Sequence, residues 1–281
     1  MKKTLLYLVI LISLYSAAYS QSIDTLYKKG ETALANKEYE TALSYFNIII
    51  KKAPNEADAY NSIGFIYMMY KDYDKAIENF SKAIENKKDF MRAYSNRGAA
   101  YMFKNDVENA FKDLNTALTL NPKDMMSLNS LGTLYGYLNK LPESFATFDK
   151  AEEYDPMYVD TYWNRGALKM NLDRYEEALV DANKAISANP SIAKSYYFRG
   201  TIYKYLKNYE KAMEDYRKAE ELDPSDGEVF IRRGILYLAM GDYKNAVNDM
   251  EYGLKLKPEL WNDKSVLDYY KEAKEKLTNK K

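Results

Sequence analysis

Four arginines lie in segments whose apolar spacing predicts amphipathic helices, at positions where the apolar face should continue. They are Arg97, Arg165, Arg199 and Arg233. A guanidinium group is a planar, permanently charged donor that binds carboxylates or phosphates through paired hydrogen bonds. Exposed on one face, the four side chains would form a basic stripe for an anionic ligand. Paired inside the chain, they would instead hold helices together.

The composition excludes most other site chemistry. The 281-residue chain has no Cys and no His, which excludes disulfides, thiolate or imidazole metal sites and His-dependent nucleophiles. Its 41 basic and 41 acidic side chains give a formal net charge of 0, which disfavours a nucleic-acid partner. We therefore expect a protein that is not an enzyme and has no cofactor, no metal site and no nucleic-acid partner.

The segments that must position the arginines share a repeated sequence pattern. Seven glycines recur every 34 residues, at Gly30, Gly64, Gly98, Gly132, Gly166, Gly200 and Gly234. Alanine, or once serine, follows each glycine after 12 residues, and a large apolar residue follows most of them after 16. Proline follows six of the seven after 24 residues. A fixed period indicates a repeat architecture, and the helical spacing of the apolar residues predicts two amphipathic helices in each unit.

The pattern Gly-x-x-Tyr, then Ala-x-x-x-Phe, then Pro resembles the tetratricopeptide repeat. The resemblance covers residues 23–260 in seven units: 23–56, 57–90, 91–124, 125–158, 159–192, 193–226 and 227–260. It implies an all-α, right-handed α-solenoid (superhelix) of seven antiparallel helix pairs. Residues 261–281 break the pattern and predict a C-terminal capping helix, whose apolar face carries Val266, Tyr269 or Tyr270, Ala273 and Leu277.

Within this repeat the arginines have consistent partners. With the glycine numbered as place 8 of each unit, the arginines stand at place 7, and place 23 of the same units holds Asp113, Asp181, Asp215 and Asp249. The three units without the arginine carry Tyr45, Asn79 and Thr147 at place 23. Places 7 and 23 are equally distant from the turn near place 15, so antiparallel helices bring them to the same height. The pattern predicts an Arg–Asp ion pair in four helix pairs and disfavours the ligand stripe.

The resemblance also implies a concave face that binds proteins or peptides, lined by places 2, 5, 9 and 12 of each first helix. The residues predicted to contact the ligand are Asn61, Phe65, Met68, Arg92, Ser95, Met102, Asn129, Trp163, Lys194 and Tyr197. Amide side chains bond to peptide backbone, and methionine and aromatic side chains adapt to varied ligands. Trp163 is the predicted anchor, because tryptophan is enriched at binding hot spots. The alternative for Trp163 is packing against Tyr197 of the next unit.

The remaining asparagine and lysine side chains of the groove do not predict a particular ligand. Asn96 and Asn164, at place 6, are interpreted as residues that pack neighbouring units together. Some relatives hold a C-terminal carboxylate with five Lys, Asn and Arg side chains from three units. The best match here is Asn129, Asn164 and Lys194, with Thr133 and Phe198 where such a clamp has Asn and Arg. Recognition of that kind is therefore not supported.

Residues 1–20 have the features of a secretory signal peptide. Lys2 and Lys3 precede an apolar run, and small residues at positions 18 and 20 predict cleavage before Gln21. The alternative is an uncleaved membrane anchor, although the run is short for a span. We expect an exported protein, periplasmic or extracellular in a bacterial envelope, with no membrane span after cleavage.

These features predict a non-catalytic scaffold or assembly adaptor that binds a protein or peptide ligand. The alternative function is a structural or regulatory subunit that docks and positions an envelope enzyme through its outer face. A linear peptide in the concave groove would favour the first function, and a large docking patch on the outer face would favour the second.

Overall fold

The fold was obtained as a computed structural model that describes residues 23–279, so the predicted signal peptide lies outside it. Every regular element in the described range is a helix, which confirms the all-α prediction. The described residues divide into two compact units, 23–134 and 135–279, and the boundary falls within one helix. None of the helices in residues 23–279 has both the length and the apolar character of a membrane span.

The first compact unit consists of successive helix pairs. Its helices are α1 (23–35), α2 (Tyr39–Lys52), α3 (Ala57–Met69), α4 (Tyr73–Asn86), α5 (Met91–Phe103), α6 (Val107–Leu120) and most of α7 (Met125–Tyr137). Buried aromatic and aliphatic side chains fill the space between paired helices, with Phe46, Phe80 and Leu114 inaccessible to solvent.

The second compact unit continues the same alternation and ends with a single helix. Its elements are α8 (Leu141–Tyr154), α9 (Val159–Asn171), α10 (Tyr175–Ala188), α11 (Ala193–Tyr205), α12 (Tyr209–Leu222), α13 (Gly227–Ala239), α14 (Tyr243–Leu256), a 3-10 helix (Pro258–Asn262) and α15 (Lys264–Asn279). Corresponding helices start 34 residues apart in both units, as at Tyr39 and Tyr73 or Tyr175 and Tyr209.

Each helix pair turns at a residue with left-handed backbone geometry. These residues stand at place 15 and are Lys37, Lys71, Asn105, Asn139, Asp173, Lys207 and Gly241. Around Lys71, the N–H of Asp72 donates to the carbonyl of Tyr67 at 2.9 Å and the N–H of Lys71 donates to Met68 at 3.0 Å. This pair of bonds ends the first helix. The Asp72 side chain then accepts a bond from the N–H of Lys75 and caps the second helix.

The repeated glycine allows the two helices of a pair to approach closely. A Cβ atom built on Gly64 would lie 2.6 Å from the ring of Phe80, and one on Gly98 would lie 2.8 Å from Leu114 Cγ. The buried large residue 16 positions after the glycine therefore occupies the space that a side chain would need.

The terminal helix α15 covers the last helix pair with one face. Ala273 is buried, and Val266, Tyr270 and Leu277 pack against the apolar cluster of α13 and α14. Of the two tyrosines that the sequence left open, Tyr270 makes this contact, whereas Tyr269 is exposed.

Candidate functional site

The four arginines at place 7 form the predicted ion pairs. The shortest N–O distances are 2.6 Å for Arg97–Asp113, 2.7 Å for Arg165–Asp181, 2.7 Å for Arg199–Asp215 and 2.6 Å for Arg233–Asp249. In each pair Nε and Nη2 donate to the same carboxylate, which is the charge-assisted paired geometry. The prediction is confirmed, and these guanidinium groups serve the fold.

Each arginine also bonds to the second helix of the preceding repeat, which the sequence did not predict. Nη1 of Arg97 donates to Ser81 Oγ at 2.9 Å, and Nη1 of Arg199 donates to Asn183 Oδ1 at 2.8 Å. The other two contacts are ionic: Arg165 reaches Asp149 at 2.6 Å and Glu152 at 2.7 Å, and Arg233 reaches Glu220. One side chain thus joins three helices from two repeats.

Three of the predicted groove residues are buried in the first compact unit. Asn61 accepts a hydrogen bond from Asn96 Nδ2 at 2.9 Å, which confirms that Asn96 packs neighbouring repeats together. Ser95 Oγ donates to Asp124 Oδ2 at 2.6 Å and lies 2.8 Å from Ser127 Oγ. Asn129 Nδ2 donates to the Met125 carbonyl at 2.9 Å. The structure therefore assigns Asn61, Ser95 and Asn129 contacts within the fold, where little of each side chain reaches solvent.

Other predicted groove residues of this unit reach solvent. Phe65 is 41% exposed. Met68 and Met102 are half-buried, and Arg92 is exposed. The role of these four side chains as ligand contacts stays a prediction.

The second compact unit brings the remaining three predicted residues together. Trp163, Lys194 and Tyr197 line one cavity of about 420 Å³ between the first helices of three successive repeats, α9, α11 and α13. The other principal side chains in its wall are Asn164, Met170, Phe198, Thr201 and Arg232. Residues 194, 197 and 201 share one face of α11 because they follow the helical spacing of three and four.

One wall of the pocket is a cation held over an aromatic ring. The Lys194 ammonium lies 3.9 Å from the centre of the Trp163 ring. Trp163 Nε1 donates to Ser195 Oγ at 3.2 Å, and this bond fixes the indole against the next repeat. Trp163 therefore contacts the following unit, as the alternative interpretation expected, but through Lys194 and Ser195, and its half-buried ring still lines the pocket.

The opposite wall contains Arg232, which the sequence analysis missed. Its guanidinium lies 5.5 Å from the centre of the Tyr197 ring, and Nη2 is 3.2 Å from Glu228 Oε2. Its Nε is buried and has no hydrogen-bond partner within the described residues. The sequence feature that could have identified Arg232 is the pair of adjacent arginines at 232 and 233. Because Arg233 faces Asp249, the side chain of the preceding residue must point about 100° away around the helix.

The surroundings of α11 shift the pKa values of two lysines and one tyrosine on this helix. Loss of water around the ammonium lowers the pKa of Lys194, with the Asp160 carboxylate opposing and the Arg232 charge adding to the shift. Desolvation and then Arg232 likewise lower the pKa of Lys204, one turn further along the same face of α11. Burial raises the pKa of Tyr197 to about 12. The pocket therefore combines aromatic walls with partly desolvated positive charge.

The comparison with protein-family models identifies the repeat. Tetratricopeptide repeat models match residues 24–56, 57–90, 92–124, 159–192, 193–226 and 227–260. The chain belongs to the tetratricopeptide repeat family. Tetratricopeptide repeats are generally protein-interaction scaffolds, and this chain has the fold of one. The comparison with curated proteins found no match.

Solved tetratricopeptide structures share the fold at low sequence identity. A tetratricopeptide repeat protein from Parabacteroides merdae has a TM-score of 0.67 and 21% identity, over 90% of this chain and 99% of that one. A chain of the APC/C hetero-tetramer Cut9–Hcn1 has a TM-score of 0.65 and 17% identity, over 91% of this chain and 55% of that one. PilF from Pseudomonas aeruginosa has a TM-score of 0.57 and 16% identity, over 77% of this chain and 95% of that one.

Proposed function

We propose that this tetratricopeptide protein is a non-catalytic adaptor that binds a peptide segment of a partner protein in the pocket between α9, α11 and α13. The observation that supports this proposal most directly is the position of Trp163 and Tyr197, two half-buried aromatic side chains in the walls of one open cavity. Aromatic side chains in such positions supply much of the energy of peptide recognition.

The polar groups around the aromatic side chains favour a peptide over a small apolar molecule. Asn164 provides donor and acceptor atoms, and Lys194 and Arg232 provide positive charge. An extended peptide presents backbone amides and alternating side chains, and so can use both the polar and the aromatic parts of this wall.

Selection from a displayed library of random twelve-residue peptides tests the proposal. We expect peptides enriched on the wild-type protein to lose about 30-fold in affinity for Trp163→Ala, because loss of an aromatic anchor costs about 2 kcal/mol or more. The matched control is Trp261→Ala, which removes the other tryptophan of the chain, outside the pocket. Equal loss in both variants, or none in Trp163→Ala, would contradict the proposed site. Thermal unfolding of both variants checks that the fold is retained.

We further propose that the adaptor acts outside the cytoplasm, supported by the signal-like sequence of residues 1–20. N-terminal sequencing of protein recovered from its host should then find Gln21, or a residue close to it, as the first residue. Recovery of chains that start at Met1 in the membrane fraction would indicate an anchored protein instead.

A further inference from the structure

We propose that the pocket selects an extended acidic segment with a Glu or Asp at every second position, so that three carboxylates face Lys194, Arg232 and Lys204. This inference rests on the proposed peptide-binding function and specifies its ligand. Three features of the second compact unit support it: the arrangement of the cations, the incomplete neutralisation of their charge by neighbouring carboxylates, and the match between helix and peptide spacing.

Lys194 and Arg232 line the pocket, and Lys204 lies on α11 beyond the residues of its wall. Lys194 and Lys204 lie on the same face of α11, with Tyr197 and Thr201 between them, and ten residues of helix separate them by about 15 Å. Arg232 projects from the neighbouring helix α13, and its charge acts on both lysines. Positive charge is thus spread along this face of α11 and is not gathered at one point.

Internal carboxylates neutralise this charge only in part. Glu228 lies beside Arg232, at 3.2 Å from Nη2, but Nε of the same guanidinium is buried without a hydrogen-bond partner within the described residues. In the described part of the chain, neither lysine forms an ion pair: the Lys194 ammonium rests on Trp163 and the Lys204 ammonium lies 4.4 Å from the centre of the Tyr205 ring. The Asp160 carboxylate also acts on Lys194, without an ion-pair contact, and the nearby Asp226 is bound to Lys257 at 2.6 Å. The pocket therefore has an excess of positive charge for a ligand to balance.

The distance between the lysines determines the pattern of the ligand. An extended peptide advances about 3.3 Å per residue and points alternate side chains to one side, about 7 Å apart. Three carboxylates at positions i, i+2 and i+4 therefore span about 13 Å, close to the separation of the two lysines along α11. A single chain-terminal carboxylate would reach only one of the three cations.

Three synthetic peptides test whether the spacing of the glutamates determines binding. The first is acetyl-Gly-Glu-Ala-Glu-Ala-Glu-Gly-amide, and the second has the same composition with its three glutamates consecutive. The third replaces every Glu of the first by Gln and ends in a free carboxylate. Binding is measured by calorimetry and by Trp163 fluorescence in a Trp261→Phe background, which leaves Trp163 as the single tryptophan.

We expect the alternating peptide to bind about fivefold or more tighter than the consecutive one, and the Gln peptide to bind weakest. Lys194→Gln and Lys204→Gln should each weaken the alternating peptide about fivefold to tenfold. The matched control Lys218→Gln, on α12 and paired with Glu221, should leave binding unchanged.

Equal affinity for the two glutamate isomers would overturn the spacing. Equal or tighter binding of the Gln peptide would overturn the acidic ligand in favour of a chain terminus or an uncharged segment. If library peptides bind through Trp163 while both lysine variants bind them normally, the adaptor function stands and this inference fails. If Trp163→Ala also has no effect, both are wrong.

Discussion

At the scale of single residues, the Arg–Asp pairs show how a repeat protein can bury charge in its helix contacts. Asp113 is only 2% exposed, and its carboxylate accepts hydrogen bonds from both Nε and Nη2 of Arg97. An intact buried pair contributes little net stability, because its mutual attraction mainly offsets the cost of desolvation. Removing one partner is different, since it leaves the other charge buried without compensation.

The prediction at this scale is that Arg97→Met lowers the free energy of unfolding by about 3 kcal/mol or more, since it strands the Asp113 carboxylate. The double variant Arg97→Met with Asp113→Leu should recover much of that loss, because no charge then remains buried. Chemical denaturation of the two variants measures the difference. A double variant no more stable than the single one would mean that the lost stability comes from Ser81 and the packing of the arginine stem, and not from the charge.

At the scale of helices, the seven turns at place 15 place the same conformational demand on different residues. Six turns use Lys, Asn or Asp with φ between 56° and 61°, and only the last uses glycine, Gly241, with φ of 78°. A left-handed conformation costs a residue with a Cβ atom about 1–2 kcal/mol, and asparagine tolerates it best.

Gly241→Ala should therefore lower the free energy of unfolding by about 1 kcal/mol, with the loss caused by backbone conformation alone. A Cβ atom at Gly241 would meet nothing within 4 Å, so no steric clash contributes. Gly241→Asn is the matched control and should cost less. The measurement is again equilibrium unfolding, and a cost for Asn equal to that for Ala would show that the left-handed backbone is not the cause.

The helices and their ion pairs could be predicted from the sequence because both depend on spacing along one chain. A 34-residue period and a 16-residue offset fix which residues meet within a hairpin. The pocket was only partly predictable. Whether place 5 of a first helix is open or covered depends on how the next repeat tilts against it, and Ser95 is fully buried whereas Trp163 is not. Arg232 was missed because the neighbouring Arg233 accounted for the basic pair.

At the scale of the whole molecule, the response to pH follows from having no His and 29 Tyr. Few side chains of this composition titrate near neutral pH, so stability should be nearly constant there. In the second compact unit Tyr216 is completely buried, and burial raises its pKa to about 12. An unfolded tyrosine loses its proton near pH 10.

The folded state thus holds this proton more tightly than the unfolded chain does. The resulting stability is fully present below about pH 10 and is lost as the pH rises towards about 12, at about 1.4 kcal/mol per pH unit for Tyr216. Urea unfolding between pH 7 and 11.5 should show a plateau followed by this fall. Tyr216→Phe should reduce the slope above pH 10, and an unchanged slope in that variant would assign the alkaline loss to other groups.

The third contact of the place-7 arginines also makes each junction between repeats chemically individual. Arg233 bonds to Glu220 of the preceding repeat, at place 28, whereas the repeat before that has Ile186 at the same place. Excising residues 193–226 would preserve the register of every helix and would place Arg233 where Arg199 now lies, beside Ile186 and Asn183, so that an amide contact would replace the ionic one. Repeats of equal length therefore differ in the chemistry of their junctions, and exchanging one repeat for another would change whether the arginine of the next repeat meets a carboxylate, an amide or a hydroxyl group.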